Sequence, residues 1–293
     1  MRAIIRKELA DAFNSMRFMI LFLLVLAISA LALYSAYQGI RGSGTGGFLF
    51  LRLYTTPPPN ENEFTYFFDY VNFIPLIFIP LVGILLGFDA INKERASGTL
   101  SRIMSQPVYR DSVINSKFLA NIFLLAVMMA ASILLIGGYG LRMIGIPPSG
   151  EEIMRLLIYF IGIMIYGTFW IGLAMLFSVV FRNLATSIIF SLVLWLLFSF
   201  GIYFIARNMN DVSILNYSPN WLFGQASSMV LYPVVRTLGT LTTEQVAYMI
   251  VNPLSLCQSL MVLWPYMVGL ISISAVFFAT SYIVFMKQEI RAT

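Results

Sequence analysis

The densest chemistry in the chain lies in one short stretch. Residues 89–117 read DAINKERASGTLSRIMSQPVYRDSVINSK and hold five basic and three acidic side chains. Such a mixture of signs suits ion pairing and the docking of a protein partner. It does not suit bond-making. The chain contains no histidine and one cysteine, Cys257, so Ser-His and Cys-His nucleophile pairs and His-metal sites are all excluded. No carboxylate–nucleophile constellation stands in for them, so no catalytic residue and no metal ligand is expected. The glycine run from Gly39 to Gly47 lacks the Gly-Lys-Ser/Thr ending and the strand–helix context of a phosphate loop. It reads as a flexible loop, followed by the stiff Pro57-Pro58-Pro59 turn.

The elements that must position this loop are set by composition. Of 293 residues, 59% are hydrophobic and 11% charged. A soluble domain carries roughly 25% charged residues, so this chain cannot coat a water-exposed surface. Nucleic-acid binding, disorder and a disulfide scaffold fall with that reading, leaving an all-α integral membrane protein. A bilayer core of about 30 Å asks for roughly 20 apolar residues in helix, with every backbone polar group paired internally. Six uncharged stretches fit: 18–37, 71–88, 118–141, 156–181, 185–206 and 264–286. The second is interrupted by Pro75 and Pro80 and is expected to be kinked. The expectation is a single transmembrane domain over 1–293, with six spans.

The cations assign orientation. With the N-terminus inside, the inner segments hold twelve lysines and arginines in about 56 residues, against six in about 103 outside. Both termini are therefore expected in the cytoplasm. Residues 1–17 pattern as an amphipathic helix along the inner leaflet. Ile5, Leu9, Phe13 and Met16 share one face, and Lys7 and Asp11 are spaced for an i,i+4 pair on the other. The turn Arg182-Asn183-Leu184 is short enough to make spans four and five an antiparallel hairpin. Segment 207–263 is too apolar for a free outside loop. Its Trp221–Tyr232 stretch, and a helix begun by the Thr242/Gln245 capping box and ended before Pro253, predict short helices half-buried at the outer interface, or in the sharper version a re-entrant lid over a pathway.

Within 89–117, a loop needed only to reverse the chain could be far shorter. Leu100, Ile103 and Met104 fall on one face of a short helix beginning near Gly98 and ending by Pro107. That face is expected to dock on a soluble partner, or else on the inner ends of the chain's own spans.

These residues carry a resemblance. Glu94-Arg95-Ala96-Ser97-Gly98-Thr99-Leu100, then Ser105-Gln106-Pro107-Val108-Tyr109-Arg110, then Lys117 resemble the pattern of ABC-2 type transporter permeases: an acidic residue, Gly-Thr-Leu, Pro-x-x-Arg, and a Lys opening the next span. The likeness is greatest to six-span permeases of the kind found in nitrous-oxide-reductase maturation and in multidrug export. Ser178-Val179-Val180-Phe181-Arg182-Asn183 and Asn252-Pro253 agree with it. The resemblance implies that Glu94, Gly98, Thr99, Leu100, Ile103, Met104, Pro107, Arg110 and Lys117 couple the permease to a separate cytoplasmic ABC ATPase. It further implies two ATPases and a second permease copy, with ATP and Mg held by the ATPases and no cofactor in this chain. Spans two and five would line the path, through Asn72, Phe73, Thr186, Ser187, Ser191, Trp195 and Phe198. Ordinary helix packing is the alternative role for each of these seven.

The uncharged spans point the same way. Ion-driven transporters usually place Asp, Glu, His or Arg within the membrane, and the six stretches hold none. The expected function is the permease subunit of an ATP-driven exporter in a prokaryotic plasma membrane. The alternative is a membrane scaffold or receptor that docks a cytoplasmic protein without transport.

Overall fold

A computed structural model describes residues 2–42, 50–55, 77–100, 105, 109–145, 147–231 and 255–287. Among these the chain is helical, without a strand. In chain order the helices are α1 (Arg2–Phe13), α2 (Met16–Gly42), α3 (Arg52–Thr55), α4 (Ile79–Gly87), α5 (Asn92–Ala96), α6 (Arg110–Ile144), α7 (Gly150–Val180), α8 (Leu184–Leu196), α9 (Ile202–Met209), α10 (Pro219–Leu231) and α11 (Leu256–Lys287). A π-helical segment, Leu197–Gly201, joins α8 to α9, and a 3-10 turn, Val212–Tyr217, follows α9.

Five of these helical runs are long and apolar enough to cross a membrane: Met16–Ile40, Arg110–Ile144, Gly150–Val180, Leu184–Met209 and Leu256–Lys287. They correspond to expected spans one, three, four, five and six. Of the second expected span, only 77–88 is described. α6, with 35 residues, is about 52 Å long at 1.5 Å per residue, so its charged ends can stand clear of a 30 Å core.

α7 is the central post, with α4, α6, α8, α10 and α11 all packed on it. Its inward side chains, among them Tyr166, Phe169, Trp170 and Met175, are fully buried. α4 approaches it through Gly83 and Gly87, one turn apart. A Cβ on Gly83 would stand 2.7 Å from the Trp170 Cβ, and one on Gly87 would stand 2.8 Å from both the Ala174 Cβ and the Ile171 carbonyl oxygen. Without a hydrophobic drive between helices in lipid, such close backbone contact supplies the dispersion energy that holds them together.

The ends of α7 show why it starts and stops where it does. Ser149 accepts a hydrogen bond from the Glu152 amide, and the Glu152 carboxylate accepts from the Ser149 amide, which completes a capping box. The other Glu152 oxygen accepts from the Phe50 and Leu51 amides at 3.0 and 3.4 Å, fastening α3 over this end. At the opposite end, α7 stops at Val180 and α8 begins at Leu184, with the Asn183 side chain capping the Ala185 amide. The expected hairpin of spans four and five is present.

Within segment 207–263 a short helix is present where Trp221–Tyr232 predicts one, but it lies deeper than a half-buried interfacial helix would. α10 lies buried between α7 and α11, with Phe223 and Ala226 wholly enclosed. Near its start, Asn220 accepts from the Tyr166 hydroxyl; near its end, the Val230 carbonyl accepts from Arg155. Tyr166 and Arg155 are eleven residues apart on α7, so α10 spans about 16 Å of its length. The apolar content of Trp221–Leu231 is thus spent inside the bundle, not at an interface. The helix expected after Thr242 lies outside the described residues, as does the Gly39–Gly47 loop beyond Gly42.

Candidate functional site

The face of the bundle that carries α1 also carries the 89–117 loop, and five polar contacts weld the first part of that loop to the helices around it. Ser187, on α8, donates its hydroxyl to the Phe88 carbonyl at 3.1 Å. Ser178, at the end of α7, accepts from the Ile91 and Asn92 amides at 3.0 and 3.1 Å. Those amides open α5 and would otherwise be unpaired helix-start donors. Arg17, at the start of α2, pairs with Asp89 at 2.7 Å. Burial raises the Asp89 pKa above its ordinary value, while Arg17 and Lys93 oppose that shift.

The fifth contact is a buried charge node. Lys117, only 5% exposed, lies 2.8 Å from Glu94 and 3.1 Å from Glu8. Lys7 stands 3.9 Å from Glu94 and 3.9 Å from Asp11, forming the expected i,i+4 pair on the outer rim of the node. Three elements therefore meet at one ammonium: α1 through Glu8, α5 through Glu94, and α6 through Lys117 itself. An ammonium buried this far is tolerable only because two carboxylates face it. The same geometry turns α1. It packs its Ile4, Ile5, Leu9 and Ala12 side against α6, while Phe13 and Met16 of the expected apolar face stay exposed.

Beyond the node, α5 ends at Ala96, and Gly98 takes a left-handed φ of +69°. Ala96, Ser97 and Gly98 form an exposed apex, and a Cβ on Gly98 would meet nothing within 4 Å. The Ser97 and Thr99 hydroxyls close the turn on each other at 2.8 Å and on the Glu94 carbonyl at 3.3 Å. Leu100 differs from the expected docking face. It is 2% exposed and belongs to the chain's own core, so in this arrangement its side chain is not offered to a partner. Arg110 opens α6 and is half-buried. Ile103, Met104 and Pro107 lie outside the described residues.

Among the residues proposed to line a path, Asn72 and Phe73 also lie outside the described residues. Ser187 and Ser191 are buried and committed within the chain, Ser191 to the Ser187 carbonyl at 2.8 Å. Phe198 meets Phe169 and Trp170 edge-on, and Trp195 meets Phe200 likewise. Thr186 bonds back to the Asn183 carbonyl. The uncovered side of span five is apolar instead: Ile189, Phe190, Val193, Phe200, Tyr203 and Phe204.

Three polar assemblies went unread in the sequence. Glu8 is one, although a lysine at the mouth of a span needs an acidic partner and α1 has Glu8 beside Leu9. Arg155 is another: fully buried, it holds Glu151 at 2.7 Å, Ser259 at 3.1 Å and the Val230 carbonyl. In the third, Asn220 donates to Ser199 at 2.7 Å while Ser218 donates to the Phe198 carbonyl at 2.8 Å, both inside the π segment. A π turn lengthens the backbone repeat and disturbs the carbonyl ladder, and the α10 start supplies replacement partners.

Comparison with known proteins agrees with this architecture. A 153-residue stretch, 52% of this chain, is 28% identical to the "Probable ABC transporter permease protein NosY" of Pseudomonas aeruginosa. The match spans about half of that relative, 49% of its length. The family model for the ABC-2 family transporter protein matches residues 2–290. With nearly its whole length covered, the chain belongs to the ABC-2 family of transporter proteins.

Proposed function

We propose that this chain is the permease subunit of an ATP-binding cassette exporter, and that a separate ATPase engages the exposed apex at Ala96–Gly98. The observation that carries the reading is the welded loop. A force applied at the apex reaches α5 and passes through Glu94 and Lys117 to α6, through Glu8 to α1, through Asp89 to α2 and through Ser178 to α7. A loop tied to so many span ends acts as a lever, not a tether. In this reading the α1 face is cytoplasmic, both termini lie there, and the membrane is the plasma membrane of a prokaryote. ATP and Mg are held by two ATPase subunits; the permease supplies the path and the mechanical link.

The second permease copy meets the uncovered apolar side of span five. Thr186 and Trp195 border the path, with Phe198 behind them, while Ser187 fastens span five to its own subunit and Ser191 bonds back within the span. Nearer the other end of the path, α10 and the π segment form the part that must shift for outward release. ATP-driven approach of the two ATPases draws the apices together and parts the spans beyond them.

The test is co-expression of the permease with the ATPase encoded beside it, purification through a tag on the permease, and ATP hydrolysis in liposomes. The reading expects a stable complex whose hydrolysis changes on assembly, and loss of that complex on substitution at Gly98. A scaffold without transport would bind its partner yet leave ATP hydrolysis unaltered and move nothing across the vesicle.

A further inference from the structure

The far end of the bundle holds a feature that neither coupling nor a path requires. Between α2 and α6, a groove of about 570 Å³ opens toward the surrounding medium. It is shallow and open along one side, so an occupant would lie along it with its other face still toward the bilayer. Leu26, on α2, and Ala131 and Leu134, on α6, line its apolar part. Gly138 leaves it open, because a Cβ there would meet nothing within 4 Å. Tyr139 and Arg142 line its end, three residues apart and so on one side of the helix.

Length and charge together specify an occupant. From Ala131 to Arg142 is eleven residues, about 16 Å of helix. That matches half of a 30 Å hydrocarbon core, the depth of one leaflet. The groove is apolar along this length and basic only at the end where headgroups lie. Arg142 is exposed, and no carboxylate among the described residues pairs with it. The nearby Glu151 and Glu152 are committed to Arg155 and to the Ser149, Phe50 and Leu51 amides. A guanidinium with no carboxylate partner among the described residues offers paired donors that fit a phosphate, and a tyrosine hydroxyl beside it suits the same depth. Basic pockets between spans favour acidic headgroups for this reason.

We propose that the α2–α6 groove is a binding site for an anionic phospholipid of the leaflet away from α1, with one acyl chain along Leu26, Leu134 and Gly138 and the phosphate on Arg142 and Tyr139. The site does not depend on what the protein transports or which partner it docks.

The experiment uses the full chain purified in a neutral detergent, titrated with phosphatidylglycerol or phosphatidylcholine of identical acyl chains. Thermal unfolding and native mass spectrometry read the outcome. The parent is expected to gain thermal stability from phosphatidylglycerol at lower lipid concentration than from phosphatidylcholine, and to retain it preferentially in the mass spectrum. Arg142→Gln should weaken phosphatidylglycerol at least about tenfold, the loss of one charge-assisted hydrogen bond, and weaken phosphatidylcholine less, because choline's ammonium already offsets the charge of the phosphate the two lipids share. Gly138→Leu fills the groove and should remove the response to both lipids; should that variant fail to fold, Leu134→Trp, from an exposed position, does the same work. Equal responses to the two lipids in the parent, or a phosphatidylglycerol preference that survives Arg142→Gln, would overturn the assignment and reduce the groove to ordinary bilayer contact.

Discussion

Replacing Lys117 by methionine keeps the length and apolar stem of the side chain and removes one charge. Its consequence follows from the node. Glu94 and Glu8 lose their partners at 2.8 and 3.1 Å while remaining largely buried, and the second Glu94 oxygen already has no hydrogen bond among the described residues. Breaking a buried pair by removing one member costs about 3–5 kcal/mol, because the remaining charge is left uncompensated. Lys7, at 3.9 Å from Glu94 and half exposed, compensates weakly, which places the expected loss near the lower limit, about 3 kcal/mol. Equilibrium unfolding of the purified full chain measures it. Adding Glu94→Gln to Lys117→Met should then recover part of the stability, since the more buried carboxylate is neutralised and only Glu8 remains, with Lys7 at 3.8 Å; the coupling between the two should reach about 1–3 kcal/mol. A loss below about 1 kcal/mol for the single variant, or strictly additive effects in the double, would refute the argument that this ammonium joins α1, α5 and α6.

Other substitutions probe the remaining contacts. Gly87→Ala places a Cβ against the Ile171 carbonyl and the Ala174 Cβ, which helix backbone cannot easily yield, so a loss of about 1–3 kcal/mol is expected in the same unfolding assay. Gly150→Ala, where a Cβ meets open space, should be neutral within about 0.5 kcal/mol and serves as the control. Arg155→Leu frees the Val230 carbonyl and Ser259, and should speed hydrogen exchange in α10 well before global unfolding. Asp89 predicts a pH effect. Its folded pKa is raised, so the folded state holds that proton more tightly, and stability falls as pH rises from about 3.8 through the folded value. Asp89→Asn should flatten that part of the stability–pH curve, and an unchanged slope would contradict the assignment.

How much of this was legible in the sequence depended on the range of the interaction. Apolar run length gave the positions of spans one, three, four, five and six, because lipid demands long self-paired helices and nothing else competes. The tight turn at Arg182–Leu184 was equally local. The motif from Glu94 to Lys117 marked a stretch whose two ends the fold joins at 2.8 Å, since its residue types are sparse elsewhere. What periodicity could not tell was which partner a side chain chooses. Leu100 has the pattern of an exposed docking residue but is consumed by the chain's own core. Ser187 and Ser191 have the polarity of path-lining residues, but Ser187 fastens α8 to the Phe88 carbonyl and Ser191 bonds back within its own helix. Glu8 lies 109 residues from Lys117, Ser259 lies 104 from Arg155, and Asn220 lies 54 from Tyr166. No local spacing signals such pairs; the packing of α1 on α6 brings the first together, and that of α10 and α11 on α7 the other two. The short helix expected at Trp221–Tyr232 is α10, but its depth was misjudged for a related reason: an apolar stretch too short to span reads as interfacial until a slot between two spans is known to receive it.

The central claim is that the exposed apex at Ala96–Gly98 is where a separate ATPase takes hold. The most direct measurement compares ATP hydrolysis by the co-purified complex with that of the ATPase alone, for the parent and for Gly98→Trp. That substitution meets no neighbouring atom at its Cβ, and its left-handed backbone position adds only about 1 kcal/mol of strain. The account predicts that assembly with the parent permease changes the hydrolysis rate and that Gly98→Trp abolishes both the complex and the change, while the variant permease keeps its fold by thermal unfolding. A complex that survives Gly98→Trp with its hydrolysis unaltered would contradict it.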